Sequence, residues 1–484
     1  MVSRRELLSL LLGCAAGLPA RQRRPNIVFI LVDDLGWTDL GCFGSTFYRT
    51  PNIDRLAQEG MRFTSAYAAC PVCSPTRASI LTGKYPARLH LTDWIPGRTP
   101  PGLKMRPPDW TPYLPLGEVT LAEALKPAGY VSASVGKWHL GGPELYPEKQ
   151  GFDFNFGGCE LGAPPSYFYP YQVPNIRNGK KGEYLTDRLT DEALAFLENS
   201  RSRPFFLYLA HYAVHTPIEA KPDIAARYRT RVRPGQAHSH PGYAAMIESV
   251  DESVGRVLRK LEELDLGKDT IVFFTSDNGG VVGRQHITSN EPLREEKATL
   301  YEGGIRVPLI VRWPGVVKPG SVCDAPVISV DFFPTILEMC GLPAPAGATL
   351  DGLSLLPLLK QSGQLPDRAL YWHYPHYNFH QPLIPTRPCG AIRRGDFKLV
   401  EFYEDGFVEL YNLREDIGER SNLAGVLPKK AAELRRDLEA WRKSVGAQMP
   451  IPTPENYDPA KTEEWMRERF HRQSQRRGER SVQP

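Results

Sequence analysis

The sequence predicts an α/β fold: a large, mostly parallel sheet sandwiched by helices, followed by a small C-terminal antiparallel-sheet subdomain. Three observations carry this. The runs Ile27-Val28-Phe29-Ile30-Leu31-Val32, Phe205-Phe206-Leu207-Tyr208-Leu209-Ala210 and Ile271-Val272-Phe273-Phe274 are continuously apolar, as in strands covered on both faces. Amphipathic helical stretches over 186–200 and 243–264 lie between them. From residue 366 the pattern changes to short runs separated by turn residues (369–374, 389–393, 397–403, 408–412), which read as antiparallel strands, with a basic amphipathic helix over 429–445 to pack on them.

Composition sets the class. The chain has 484 residues, 41% hydrophobic and 24% charged, which suits one large domain and a smaller one. A net charge of +4 is small for this length and argues against a nucleic-acid binder, which carries a dense basic stripe. The 45 prolines and 42 glycines fit a loop-rich enzyme. The expected organisation is an export segment over 1–24, a catalytic α/β domain over 25–365, an antiparallel subdomain over 366–450 and a basic tail over 451–484, frayed from 460 on.

The first residues read as an export signal. Arg4 and Arg5 precede Leu7-Leu8-Ser9-Leu10-Leu11-Leu12, and small residues follow. Ser3-Arg4-Arg5-Glu6-Leu7-Leu8 is similar to a twin-arginine signal, and Leu11-Leu12-Gly13-Cys14 to a lipobox, with plain secretion as the alternative. The expected location is periplasmic or extracellular, with membrane attachment only through lipidation of Cys14. Eight cysteines leave disulfides open in such a compartment, without fixing any pairing.

The first buried strand ends in Asp33-Asp34, where an open α/β sheet gathers ligands. Adjacent carboxylates repel unless a cation neutralises them. Another strand ends in Ser276-Asp277-Asn278, which repeats the pattern. Asp33, Asp34, Asp277 and Asn278 offer hard oxygens, a set that selects calcium or magnesium over zinc, and irregular ligation suits calcium better.

Between these lies Cys73-Ser74-Pro75-Thr76-Arg77, running into a helix start. Its thiol would sit in the positive field of a helix N-terminus, with Arg77 one turn on, a place for chemistry on an anion. The plain alternative is a packed thiol. Thr50-Pro51-Asn52 starts an earlier helix with Asn52 as the expected cap. The strand over 129–136 ends in Lys137-Trp138-His139, where an extended backbone would point Lys137 and His139 the same way. His215 follows a strand end in the same layer, and His211 reads as packed behind it. Residues 85–118 form a long loop carrying Asp93, Trp94 and Arg98, read as a substrate wall or a structural loop. His373 and His376, in an aromatic and proline-rich loop, are further sugar-contact candidates on the same terms.

Three stretches resemble the type I, formylglycine-dependent sulfatases of the alkaline phosphatase-like superfamily. They are Cys73-Ser74-Pro75-Thr76-Arg77, Gly129-Tyr130-Val131-Ser132 through Gly136-Lys137-Trp138-His139, and Leu293-Arg294 through Lys297 to Tyr301-Glu302-Gly303-Gly304-Ile305-Arg306-Val307-Pro308. The resemblance covers roughly 25–445, in family order. It implies a mixed, mostly parallel sheet and a small four-stranded antiparallel sheet. It implies that Cys73 is converted to formylglycine by a maturation enzyme and hydrated to a gem-diol nucleophile. One calcium would be held by Asp33, Asp34, residue 73, Asp277 and Asn278. Arg77, Lys137 and Lys297 would hold the sulfuryl oxygens. His215, with Lys297, would protonate the leaving oxygen, and His139 would drive sulfate out of the sulfoenzyme intermediate.

The implied activity is sulfate monoester hydrolysis on a sulfated carbohydrate or aryl sulfate. The stretch Lys84 to Trp94 looks like bacterial sulfatases that act on glycans, which points to galactose or N-acetylgalactosamine sulfate. The alternatives are a phosphodiester or phosphonate monoester hydrolase on the same scaffold, and a non-catalytic, calcium-dependent receptor for sulfated glycans with Cys73 unconverted.

Overall fold

The computed structural model describes residues 24–283, 286–378 and 386–468. The export segment, Cys14 and the last part of the tail lie outside the described residues.

The strands of the large sheet are β1 (Asn26–Val32), β2 (Met61–Tyr67), β4 (Val131–Gly136), β5 (Phe154–Phe156), β6 (Phe205–Ala210), β7 (Thr270–Ser276), β8 (Arg306–Arg312), β9 (Ser321–Cys323) and β10 (Val327–Ile328). A two-residue strand, β3 (Met105–Arg106), lies outside it. The order is β10-β2-β8-β7-β1-β6-β4-β5, with β9 also on β2. Strand β8 runs antiparallel to both its neighbours, and the other pairings are parallel.

Burial explains the pattern. Every residue of β1 is fully buried, and its alternate side chains enter two cores. Val28, Ile30 and Val32 pack on one face with residues of α1 (Pro51–Glu59), α3 (Leu185–Ser200), α4 (Pro222–Arg229) and α5 (Pro241–Glu263). Ile27, Phe29 and Leu31 pack on the other with residues of α2 (Cys73–Thr82) and α6 (Phe332–Met339). Each such side chain stabilises the fold by about 1.5–3 kcal/mol relative to exposure, which is why these runs carry no polar alternation.

The small sheet is β11 (Ala369–Tyr374), β12 (Cys389–Arg394), β13 (Phe397–Phe402) and β14 (Val408–Asn412), antiparallel and in sequence order. Helix α7 (Pro428–Ser444) covers it through Ala431, Leu434, Leu438 and Trp441. Trp441 stacks on Tyr371 at 4.7 Å. The same core takes in Tyr67, Ala69 and Val72, so the small sheet is seated against the segment that leads into α2.

Two local expectations are corrected. Asn52 does not cap α1; the N-cap is Thr50, and Asn52 is held by Asp251 through its backbone and its side chain. The described chain after 450 is structured, including residues 460–468, where the sequence predicts fraying. Strand β15 (Ile451–Pro452) pairs with β3, Asp458 N–H donates to the Gly102 carbonyl, and residues 459–468 are helical. The backbone of the long loop supplies the partner strand, which composition alone does not show. The question of disulfides, left open by the sequence, is answered for the described residues: Cys42, Cys70, Cys73, Cys159, Cys323, Cys340 and Cys389 are free thiols.

Candidate functional site

Four adjacent parallel strands, β7, β1, β6 and β4, end at one edge of the sheet. Beyond them the chain places Asp277-Asn278, Asp33-Asp34, His215 and Lys137-His139 respectively. Because β8 runs the other way, its start at Arg306 lies at the same edge, and the preceding loop delivers Lys297 there. Helix α2 brings Cys73 as its first residue. One layer of the fold therefore collects residues scattered over the sequence.

The groups meet closely. Lys137 Nζ is 2.5 Å from Asp33 Oδ2, and Lys297 Nζ is 2.6 Å from Asp34 Oδ1. Arg77 donates through Nε and Nη2 to Asp277 Oδ2 at 2.9 and 2.8 Å, and through Nη1 to the Lys137 carbonyl. Arg77 thus lies fully buried behind the acids, orients Asp277 and stands 3.5 Å from Asp33 Oδ2. His215 Nε2 is 3.6 Å from Asp34 Oδ2, and its Nδ1 donates to the Thr216 carbonyl.

His139 corrects the expected geometry. The strand stops at Gly136, and His139 adopts φ 58, a left-handed conformation rather than an extended one. This turn directs Nδ1 to Cys73 Sγ at 3.4 Å. Its Nε2 lies 2.5 Å from the Ile95 carbonyl, which can only accept. The imidazole therefore carries its proton on Nε2 and presents a bare Nδ1 to residue 73. Burial, then Lys137, holds its pKa well below the usual histidine range, keeping it neutral.

Burial and the neighbouring carboxylates Asp277 and Asp34 push Asp33 well above the usual carboxylate range, against the pull of Lys137 and Arg77. Asp34 goes the other way. Burial opposes its ionisation, but Lys297, His215 and Lys137 outweigh that and hold it below the usual range. Lys297 is raised: burial works against its charge, and Asp34 and the thiol of Cys73 overcome it. Burial lowers His215 to about 3, with Asp34 opposing.

The residues fit a cation. Asp33 Oδ1, Asp34 Oδ2 and Asn278 Oδ1 are buried and have no hydrogen-bond partner among the described residues. Unpaired buried oxygens are costly, and three together aim at a positive charge. Asn278 turns its Nδ2 to Asp34 Oδ1 and so leaves its oxygen free. The expectation of an all-oxygen set needs one change. Ligand atoms of Asp33, Asp34 and His215 lie within 4.8 Å of one another, so an imidazole borders the site.

The substrate-facing candidates divide. Asp93 is buried, and its Oδ1 accepts from Tyr374 Oη and Trp94 N–H. Burial pushes its pKa up to about 8. His376 bonds through Nε2 to Thr92 Oγ1 at 2.8 Å and turns Nδ1 toward Asp93 Oδ2 at 3.7 Å. Ile95, in the same loop, bonds both Ser74 and His139, so this pair flanks residue 73. Arg98 is exposed, over the Trp94 ring at 5.9 Å. His373 is not in a loop; it lies in β11 with both ring nitrogens engaged, by Tyr403 Oη and the Gln448 carbonyl. It has no nitrogen left for a sugar and belongs to the packing of the small sheet. His211 is buried against Ser253.

Sequence reasoning did not find Asp39, Thr288 and Tyr243, which knit the loop after Asp34 to α5 and the loop before Lys297. Their single polar letters carry no motif. Nor did it find Glu302, Lys398 and Glu419 as a buried charge cluster.

Comparison with known proteins gives a consistent set of likenesses. The family model described as sulfatase matches residues 25–342, and one described as the C-terminal part of N-sulphoglucosamine sulphohydrolase matches 295–444. The chain is 34% identical to a sulfatase of Formosa agariphila, over 90% of this chain and 92% of that one. It is 38% identical to the N-acetylgalactosamine-6-sulfatase of Canis lupus familiaris, over 76% of this chain and 72% of that one. A solved structure in complex with its substrate D-glucosamine-2-N,6-O-disulfate superposes with a TM-score of 0.72 at 26% identity, covering 88% of this chain and 98% of that one.

Proposed function

The chain belongs to the sulfatase family and is a sulfuric ester hydrolase, and we propose that it removes sulfate from a sulfated sugar of the galactose or N-acetylgalactosamine type, using formylglycine made from Cys73. The observation that carries the mechanistic part is the bare Nδ1 of His139 aimed at residue 73. The substrate class rests on the likeness to N-acetylgalactosamine-6-sulfatase and to a protein solved with a sulfated glucosamine.

The proposed nucleophile is the hydrated aldehyde at position 73. Neutral His139 takes a proton from that side chain, and its Nε2–H on the Ile95 carbonyl fixes the tautomer that allows this. Lys137 and Lys297 hold the sulfuryl oxygens, each such contact contributing roughly 2–4 kcal/mol in the transition state. Lys297, kept protonated, lends a proton toward the leaving oxygen. That proton leaves with the released hydroxyl, and His215, whose bare Nε2 faces the same Asp34 that holds Lys297, relays a replacement proton from solvent to the lysine. Arg77 holds Asp277 in place through two hydrogen bonds to one carboxylate oxygen.

Asp33, Asp34, Asp277 and Asn278 are the proposed holders of one calcium ion, which when bound supplies a Lewis acid to the nucleophile and the sulfuryl oxygens. Asp93 and His376 are the proposed readers of a sugar hydroxyl beside the ester, since they set a carboxyl and an imidazole side by side in the loop that flanks residue 73. The maturation enzyme, export and lipidation at Cys14 belong to the same proposal.

The test is release of inorganic sulfate from a panel of singly sulfated galactose and N-acetylgalactosamine esters, beside an aryl sulfate, a phosphodiester and a phosphonate monoester. Preference for a sugar sulfate supports the reading. Preference for the phosphorus esters overturns it in favour of the rival hydrolase, and an unconverted Cys73 in protein from its own host, with no turnover of any ester, overturns it in favour of the glycan receptor.

A further inference from the structure

Away from the catalytic edge, Lys398 of β13 is fully buried between two carboxylates, Glu302 Oε1 at 3.0 Å and Glu419 Oε1 at 2.9 Å. Glu302 also accepts from Tyr67 Oη at 2.7 Å and from Arg306 Nη1 at 3.1 Å. Arg393 of β12 closes the group by donating to Tyr67 Oη. Glu419 Oε2 accepts the backbone N–H of Glu302 at 2.7 Å. Such a network is costly to bury unless every member is satisfied, and a hydrophobic cluster would stabilise the fold as well or better. Its presence calls for a role that apolar packing cannot fill, such as fixing one register between two parts.

The two parts are the small sheet and the loop that carries Lys297. Residues 294–304 double back on themselves: Gly303 N–H donates to the Arg294 carbonyl at 2.8 Å, and Gly304 N–H to the Tyr301 carbonyl. The turn is packed backbone on backbone. A Cβ on Gly303 would lie 2.1 Å from the Glu295 carbonyl oxygen, and one on Gly304 2.1 Å from that of Thr299. Position 302 and Lys297 therefore cannot shift independently. The small sheet grips the same loop at its rim. Tyr301 Oη donates to Glu409, Arg294 donates to Tyr411 Oη and the Glu419 carbonyl, and Thr386 Oγ1 donates to the Ala298 carbonyl.

We propose that Lys398 is a positioning residue for Lys297: it pins Glu302 and Glu419 together, and through the closed 294–304 loop it sets where the Lys297 ammonium stands against Asp34. The small sheet is thereby part of the catalytic apparatus without touching the reacting atoms. This rests on the role proposed above for Lys297.

The test is a double-mutant cycle on the matured, full-length enzyme with an aryl sulfate and a sugar sulfate. Lys297→Ala alone reports on the proposed site. Lys398→Met is expected to lower kcat about tenfold with KM little changed in the wild-type background, and by less than about threefold when Lys297 is already alanine. Equal losses in both backgrounds overturn the proposal while leaving the site reading intact. A Lys297→Ala enzyme with unchanged turnover overturns the site reading itself. Because Lys398→Met can fail to fold, Glu409→Ala provides a second arm. It removes the Tyr301 contact at a partly buried rim and is expected to show the same background-dependent loss on a smaller scale; additivity there also overturns the proposal.

Discussion

His139 Nδ1 stands 3.4 Å from Cys73 Sγ while its opposite nitrogen is tied to the Ile95 carbonyl. A histidine held this way can remove a proton from residue 73 but has no freedom to act elsewhere. In the proposed cycle that proton transfer releases sulfate after the ester is cleaved. His139→Ala is therefore expected to retain the first turnover and lose the second. Rapid-mixing kinetics with a chromogenic aryl sulfate should show a burst of about one leaving group per active site, then a steady rate lower by about 10²–10⁴-fold. Loss of the burst along with the steady rate would assign His139 to the first step instead.

Lys297 is expected to matter most when the leaving group is poor. An aryl oxygen leaves without much help, whereas a sugar alkoxide needs a proton. Lys297→Ala should lower kcat/KM for a sugar sulfate by at least about tenfold more than for a nitrophenyl sulfate. Equal losses on both would make Lys297 a holder of sulfuryl oxygens only.

The orphaned oxygens of Asp33, Asp34 and Asn278 predict a metal effect on stability as well as on rate. Chelation should abolish turnover, and calcium should restore it. Calcium at about a hundred times its dissociation constant should add about 2.7 kcal/mol of stability, seen as a higher Tm. Asp33→Asn should remove the calcium-dependent rise. A Tm indifferent to calcium in the wild type would count against the site.

Asp93 gives a prediction in pH. Its ordinary value of 3.8 rises to about 8 in the fold because of burial. Between those values the folded chain keeps a proton that the unfolded chain has released, so this group's stabilisation is complete below the lower value and is lost as pH rises through the upper one. Asp93→Asn should therefore gain in Tm relative to wild type on going from pH 5 to pH 8. A difference independent of pH would mean that Asp93 is ionised in the fold.

Much of this arrangement is legible in the sequence, for a physical reason. Strands buried on both faces must be continuously apolar, so β1, β6 and β7 stand out, and the polar letters that end them are conspicuous. That contrast singles out Asp33, Asp34, Asp277 and His215 by pattern alone. What periodicity cannot show is a single residue leaving the extended region, as His139 does, or a backbone edge finding a partner far along the chain, as Arg106 does with Ile451. The Lys398 cluster is hidden for a similar reason. Glu302, Lys398 and Glu419 are ordinary surface letters one at a time, and only the fold reveals that Lys398 is the counter-charge of both glutamates. For His373 the strand pattern over 369–374 is right, and the sugar-contact expectation fails because both ring nitrogens are engaged within the small sheet.

Formylglycine catalysis at residue 73 is tested most directly by the mass of the peptide that carries it, from protein produced with a formylglycine-generating enzyme and assayed for sulfate release in parallel. The expected peptide is lighter by the difference between a thiol side chain and an aldehyde, with sulfate release in proportion to the converted fraction and none from Cys73→Ala. Full sulfate release from protein whose residue 73 remains an unmodified cysteine would contradict the proposed chemistry.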